Sequence, residues 1–347
     1  MLKETYSNRQ GLAATALTPL RISLAGGGTD LPEYSEAFGG EVVAMAITPG
    51  VRVSMRAAPG TTSISWRDGG GPLAGHPRLD ALAAELADEY CPTGAWRLTS
   101  VADARAGAGL GSSGAFLVAL AACLRPLDDP AELARIAFGW ERTRAGRTVG
   151  PQDSFASANG GLSRIRIGRD GDVAVEPAPL HARSRAWINA NFLLFDTGGT
   201  RDASQVALRS LEAGDADRTA ALHRIRELTG PFREALATGD VDRFGPLLTS
   251  NWQLKTGLGA GISTPRAERL LADCLAAGAT GGKLVGAGGG GYVLVSVPPA
   301  AVAEVRTAMV RAGAAELPFE ISDAGVRREP DRRANTAEPD AGTPGSE

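Results

Sequence analysis

Residues Gly107-Ala-Gly-Leu-Gly-Ser-Ser-Gly114, followed by Ala-Phe-Leu-Val-Ala-Leu120, constrain this chain more than any other stretch. The glycines permit positive φ and leave backbone N–H groups open to a ligand. Apolar residues then recur at Phe116, Leu117, Leu120, Cys123, Leu124 and Leu127, the spacing of one helix face. Ser112 and Ser113 fall where an N-cap and first turn belong. A glycine-rich loop feeding a helix N-terminus is an anion site, and phosphate is its usual occupant. A tight turn before a buried helix would carry the same pattern, so the rest of the chain must separate the two.

The 347 residues have room for two domains of ordinary size. A net charge of −3 with no basic stripe lacks the footprint of a nucleic-acid binder. Cys91, Cys123 and Cys274 are widely spaced and there are only three histidines, which argues against zinc. The cysteines read as small apolar residues in a reducing compartment. No secretory leader or membrane-length apolar run is apparent, so the expectation is a cytoplasmic protein. Glycine is abundant at 45 residues but concentrated at 26–28, 69–71, 107–114 and 286–291. Such clustering suggests several loops that approach one ligand.

Alternation predicts strands at 18–25, 41–47, 51–57, 64–66, 96–101, 162–167, 173–176, 191–196, 283–285, 292–297 and 319–322. Helical spacing covers 79–90, 115–127, 130–145, 202–213, 217–238, 240–256, 265–277 and 300–312. Residues 1–14 read as a mobile lead-in. The Pro-containing stretch 177–186 reads as a domain junction. The polar chain from Arg328 onward reads as a disordered tail.

Two phosphate signatures fail. The P-loop pattern at Gly282-Lys283 is followed by Leu284, and Ala277 occupies its first glycine position. Gly109, Gly111 and Gly114 do spell GxGxxG. A dinucleotide site, however, needs a buried strand directly before it and an acidic strand end about 20 residues on. Ala102–Ala106 precedes the glycines, and Asp128 and Asp129 sit in a turn between helices.

The loop instead resembles the phosphate loop of the GHMP small-molecule kinases. Thr18-Pro-Leu-Arg-Ile-Ser-Leu-Ala-Gly-Gly-Gly-Thr-Asp-Leu31 is similar to that superfamily's first motif in its sugar-kinase form. Gly281-Gly-Lys-Leu-Val-Gly-Ala-Gly-Gly-Gly-Gly-Tyr292 is similar to its third. Gly150-Pro-Gln-Asp-Ser154 with Gly160-Gly-Leu162 resembles the segment of the catalytic aspartate. Thr197-Gly-Gly-Thr-Arg201 and Trp252-Gln-Leu-Lys255 look most like the heptose 7-phosphate kinase branch. Three positions depart: Arg105 stands for the usual proline, Gly114 for a third serine, and Asp153-Ser154 for Asp-Gln.

The resemblance implies an α+β fold: an ATP-binding domain over 15–185 like ribosomal S5 domain 2, and a ferredoxin-like domain over 186–328. It implies transfer of the ATP γ-phosphate to a sugar, at the anomeric O1 of a heptose 7-phosphate. Gly107, Gly109, Leu110, Gly111, Ser112, Ser113 and Gly114 would cradle the triphosphate, with Mg²⁺ on Ser113 and Glu141. Asp153 would be the base, where its position otherwise suggests an N-cap. Arg21 would stabilise the transferred phosphoryl, where strand alternation equally permits an exposed arginine. Glu141 could instead pair with Arg144. Asp30, with Gly28 and Thr29, would meet the sugar, and Gly27 and Gly28 replace a Glu-His pair of galactokinase-like members. Arg201, Lys255 and Lys283 would hold a substrate phosphate or be ordinary surface cations, and Gly288 and Gly289 would pack beside the site. A kinase for another sugar and a sugar sensor are the rival readings. Neither nucleic acid nor membrane is expected as a partner, and a homodimer is left open.

Overall fold

The computed structural model describes residues 13–68, 71–73, 75–91, 94–125, 129–198, 215–259 and 261–329. β1 (Ala13–Ala25) and β2 (Gly40–Ala58), joined through α1 (Pro32–Phe38), are the spine of a large sheet. β3 (Ser63–Asp68), β4 (Gly71–Leu73), α2 (Pro77–Tyr90) and β5 (Ala95–Ala102) follow. β2 pairs along its length with β1, while its other edge takes β5 at its C-terminal end. The N-terminal end of that edge takes β6 (Leu162–Ile167), which pairs with β7 (Val173–Pro177).

The two strands expected at 41–47 and 51–57 are thus one. Leu20 pairs with Ile47 and Pro19 with Gly50, so Thr48 and Pro49 are extra residues in a bulge. The bulge absorbs a proline that cannot donate to the ladder.

α3 (Ser112–Leu124) crosses this sheet and packs on β1, β2, α4 (Pro130–Gly139) and α5 (Gln152–Asn159). The apolar stripe suggested one buried face. Instead every residue from Gly114 to Ala122 is buried, because Ala115, Ala119, Ala121 and Ala122 let neighbours close on the other side.

α6 (Ala182–Asn191) begins midway through the 177–186 stretch, capped by the His181 ring accepting from Arg183 N–H at 3.1 Å. β8 (Phe192–Asp196) leads, past undescribed residues, to α7 (Asp215–Glu227), α8 (Thr229–Thr238), α9 (Phe244–Thr256) and α10 (Pro265–Ala276). β9 (Gly281–Leu284), β10 (Tyr292–Ser296) and α11 (Val302–Arg311) complete this part. β8, β10 and β9 form a second, antiparallel sheet.

Strand alternation divides that small sheet between two cores. Phe192, Leu194, Tyr292 and Leu294 join the core of the large sheet. Leu193, Phe195, Val293 and Val295 face Ile225, Leu270 and Met309 on the other side.

Of the strand expected at 319–322, only Ile321 pairs, as an isolated bridge to Ile47. The last strand among the described residues is β11 (Arg327–Glu329), laid against β1 with Ala16 opposite Arg328. Arg328 and Glu329, read as the start of a polar tail, therefore belong to the sheet. Their charged pattern carries no strand signal; an available β1 edge supplies the partner.

Candidate active site

The glycine-rich loop is shaped by backbone contact. Gly109 has φ +87°, and a Cβ there would lie 2.4 Å from the Val285 carbonyl oxygen. A Cβ on Gly286 would lie 2.4 Å from the Gly109 Cα, so the first and third motifs meet main chain to main chain. The N-cap of α3 is Gly111 in the left-handed conformation, not Ser112. Ser112 Oγ instead accepts from Gly107 N–H at 3.4 Å. Gly107, Gly109, Gly111, Ser112 and Ser113 all line one large cavity of about 790 Å³. Leu110 is buried, and its carbonyl accepts from Arg21 N–H at 3.0 Å.

Arg21 is buried and points inward, so the exposed-arginine alternative falls. Its Nε donates to Asp153 Oδ1 at 2.8 Å and its Nη1 to the Gly109 carbonyl at 2.6 Å. Nη2 donates to the same Asp153 oxygen at 2.5 Å. Asp153 lies in the first turn of α5, but the N-cap is Pro151, so Asp153 is not the capping residue. Gly114 seats it: a Cβ there would be 2.7 Å from the Asp153 Cβ. Asp153 is thereby pressed against the first turn of α3, with Oδ2 left without a hydrogen-bond partner among the described residues.

Glu141 sits in a π-helical turn, Trp140–Arg144, that extends α4. Such turns recur at functional sites. Arg144 pairs with Glu85 and Glu89 instead, and buried Glu141 takes buried Arg147 as its partner. Burial pushes the Glu141 carboxyl up; Arg147 opposes the rise, Asp153 adds to it and a Ser113 hydrogen bond opposes it. Ser113 and Glu141 therefore converge on one spot beside Asp153. A hydroxyl and a carboxylate are suitable hard donors for Mg²⁺, which completes its shell with phosphate and water oxygens.

The other end of the cavity is built from side chains. Asp30 is buried; its Oδ1 accepts from Gly28 N–H at 3.0 Å and its Oδ2 has no partner among the described residues. Burial, then Asp153, raises the Asp30 carboxyl above the ordinary carboxylate range. The Thr29 hydroxyl is turned away, donating to the Gly26 carbonyl at 2.8 Å. Lys255 donates to the Gly286 carbonyl, and burial, with Arg21 nearby, brings its ammonium down to about 8.

Lys283 is placed differently from the expectation. It is buried, and its Nζ donates to Ser23 O at 3.0 Å, Leu24 O at 3.3 Å and Asn251 Oδ1 at 2.8 Å. Three N–H bonds meet three protein acceptors, leaving none for a substrate phosphate. Gly288 and Gly289 also lie off the cavity wall: Gly289 N–H donates to Ile262 O at 2.8 Å, and Gly288 packs on the same residue. Arg201 lies outside the described residues.

Beyond the loop, Trp66, Leu73, Leu79 and Phe116 form an apolar end suited to a nucleobase. Trp66 and Phe116 have ring centroids 4.5 Å apart. Arg105, on the same wall, bridges to Asp196 at the end of β8 at 2.5 Å. The arginine thus ties the loop to the second sheet where a proline would stiffen it. Sequence reasoning missed Arg147, whose role depends on the π turn, and Trp66, which carried only a strand signal.

A glycine-rich loop facing a pinned aspartate across a large cavity suits phosphoryl transfer to a small molecule. Family models for the GHMP kinases N terminal domain and GHMP kinases C terminal match residues 79–161 and 232–315. A mevalonate kinase of Aeropyrum pernix is 30% identical over 229 residues, covering 64% of this chain and 67% of that protein. A D-glycero-alpha-D-manno-heptose 7-phosphate kinase of Campylobacter jejuni is 27% identical over 301 residues, covering 81% and 88%. A solved heptose 1-phosphate kinase from Bacteriodes thetaiotaomicron superposes with TM-score 0.71 at 24% identity, covering 92% of this chain and 99% of that one.

The chain belongs to the GHMP kinases. It is an ATP-dependent phosphotransferase on the two-part α+β fold of that family. No helix among the described residues is long and apolar enough to cross a membrane.

Proposed function

We propose that this kinase transfers the γ-phosphoryl group of ATP to the anomeric O1 of a D-glycero-D-manno-heptose 7-phosphate, giving the 1,7-bisphosphate. The observation that carries the reading is the Arg21–Asp153 pair beside the loop. One carboxylate oxygen is held by the guanidinium, and the other is free to take a hydroxyl proton. The acceptor oxygen then bonds to the γ-phosphorus, the bond to the β,γ-bridging oxygen breaks, and ADP leaves. Arg21 holds the base in place and adds positive charge near the transferring group. Ser113 and Glu141 would hold Mg²⁺, which offsets phosphate charge in such reactions.

A heptose phosphate acceptor is supported by the relative from Campylobacter jejuni and by polar atoms, unpartnered among the described residues, on side chains that line the cavity. These are Ser23 Oγ, Asp30 Oδ2 and Gln152 Oε1. Buried polar atoms without partners suit a polyhydroxylated ligand that would satisfy them. We assign residues to about 185 to the nucleotide-binding half and 186–328 to the second half. Confinement of the large sheet, apart from β11, to residues before 178 supports that division.

The test is ADP release with heptose 7-phosphate, the unphosphorylated heptose, fucose and mevalonate, each with Mg²⁺. Turnover is expected with the heptose 7-phosphate. ATP hydrolysis at one rate with and without any acceptor would sink the kinase chemistry; faster turnover of an unphosphorylated sugar would sink the acceptor.

A further inference from the structure

α7 has an inner stripe that is apolar except at its start. Leu222 and Ile225 are buried against the second core, and Leu222 Cδ2 would lie 3.4 Å from a Cβ on Gly28. One turn before Leu222, on the same face, stands Arg218. Its two neighbouring arginines on this helix are accounted for differently. Arg226 donates to the Phe38 and Gly39 carbonyls at 2.7 and 3.2 Å, and Arg224 is exposed to solvent. Arg218 is half-buried and lines the cavity beside Gly28, Asp30 and Lys255. Its Nε is buried with no hydrogen-bond partner, and among the described residues no carboxylate lies within ion-pair distance.

A guanidinium that lines a cavity with no carboxylate partner among the described residues is available to an anionic ligand. The cavity wall offers a second cation for the same anion. α7 packs on α9, which carries Lys255, and among the described residues only one acceptor, the Gly286 carbonyl, engages that ammonium. Lys283, the other lysine of the wall, is saturated by protein acceptors. A planar fork beside a point charge matches a phosphate dianion.

We infer that Arg218, with Lys255 opposite, is the receptor for the phosphate carried by the acceptor sugar. It is a specificity residue that separates sugar phosphates from free sugars. The inference rests on the acceptor reading above and adds the group that enforces it. Leu222 presses on the Gly28 turn, so the helix that carries the receptor also closes the side of the sugar site.

The test compares wild type, Arg218→Ala and Arg218→Lys on heptose 7-phosphate and on the same heptose without phosphate. For Arg218→Ala, KM for the phosphorylated sugar is expected to rise between tenfold and a hundredfold. KM for ATP, and KM for the free heptose, should stay within about twofold, and Arg218→Lys should recover part of the loss. Equal loss on both sugars, or no loss on the phosphorylated one, overturns the inference while leaving the kinase reading in place. If wild type does not use heptose 7-phosphate, calorimetric binding of hexose 6-phosphates decides separately. Weaker binding to Arg218→Ala than to wild type upholds the receptor although the heptose reading has failed, and equal binding overturns the receptor too.

Discussion

The two ends of the cavity are made of different material. At the nucleotide end, main chain meets main chain: Gly109 lies against Val285 and Gly286, and Gly114 against Asp153. Such contacts leave no room for a single methyl group, so this end is rigid and its chemistry is set by backbone N–H groups. At the proposed acceptor end, Asp30, Ser23, Gln152 and Arg218 carry polar atoms without partners among the described residues. That end can be changed by substituting side chains without rebuilding the loop. The contrast explains how one fold can keep a phosphoryl-transfer apparatus while its acceptor varies.

Asp153 stands where the two ends meet, and its loss should be the largest effect. Asp153→Asn is expected to lower kcat by a factor of about 10² to 10⁴ with an unchanged circular dichroism spectrum. Activity near the wild-type level would remove the base from the mechanism. Next comes the rigid end itself. Gly109→Ala meets both a positive φ and a carbonyl at 2.4 Å. It should destabilise by about 2 kcal/mol or more, read as a lowered melting temperature, and weaken ATP binding. A melting curve like that of wild type would show that the loop is more compliant than its contacts imply.

The acceptor end is probed by pH. Lys255 has its ammonium brought down to about 8, so it carries the proton below that pH and loses it above. KM for a phosphorylated acceptor should therefore rise above pH 8, by up to about tenfold per unit, while KM for a free sugar should not follow. Lys255→Met should flatten the profile; a profile that survives the substitution points to another group. The smallest effect belongs to Arg105, whose bridge to Asp196 is partly exposed at both ends. Arg105→Ala is expected to cost no more than about 1 kcal/mol in stability and to raise KM for ATP about two- to threefold. A loss comparable to that of Gly109→Ala would mean that the rigid end depends on its tie to the second sheet.

The glycine-rich loop was legible from its own spacing, whereas Asp153, Arg21 and Glu141 were singled out by the resemblance to the GHMP kinases. Their alternatives were also legible, and only packing could separate them. Glu141 had Arg144 three residues away, yet a π turn rotates it toward Arg147. Lys283 sits in a glycine-rich motif, yet carbonyls of β1 and the amide of Asn251 consume its donors. Arg218 carried no motif, and its meaning comes from Leu222 and Ile225 placing it on a buried stripe.

The strand and helix types of most elements came from apolar periodicity, since burial of a face demands period two or 3.6. Where the chain departed, the cause was long-range. A bulge merged two strands across Pro49, and an open β1 edge took Arg327–Glu329 into the sheet. Local pattern determined the glycine-rich loop, the buried helix after it and most of the strands, while the resemblance named Asp153 as the candidate base. The tertiary structure alone decided which cations are spent within the protein and which remain for a ligand, because a charge is free only when no distant carbonyl or carboxylate reaches it.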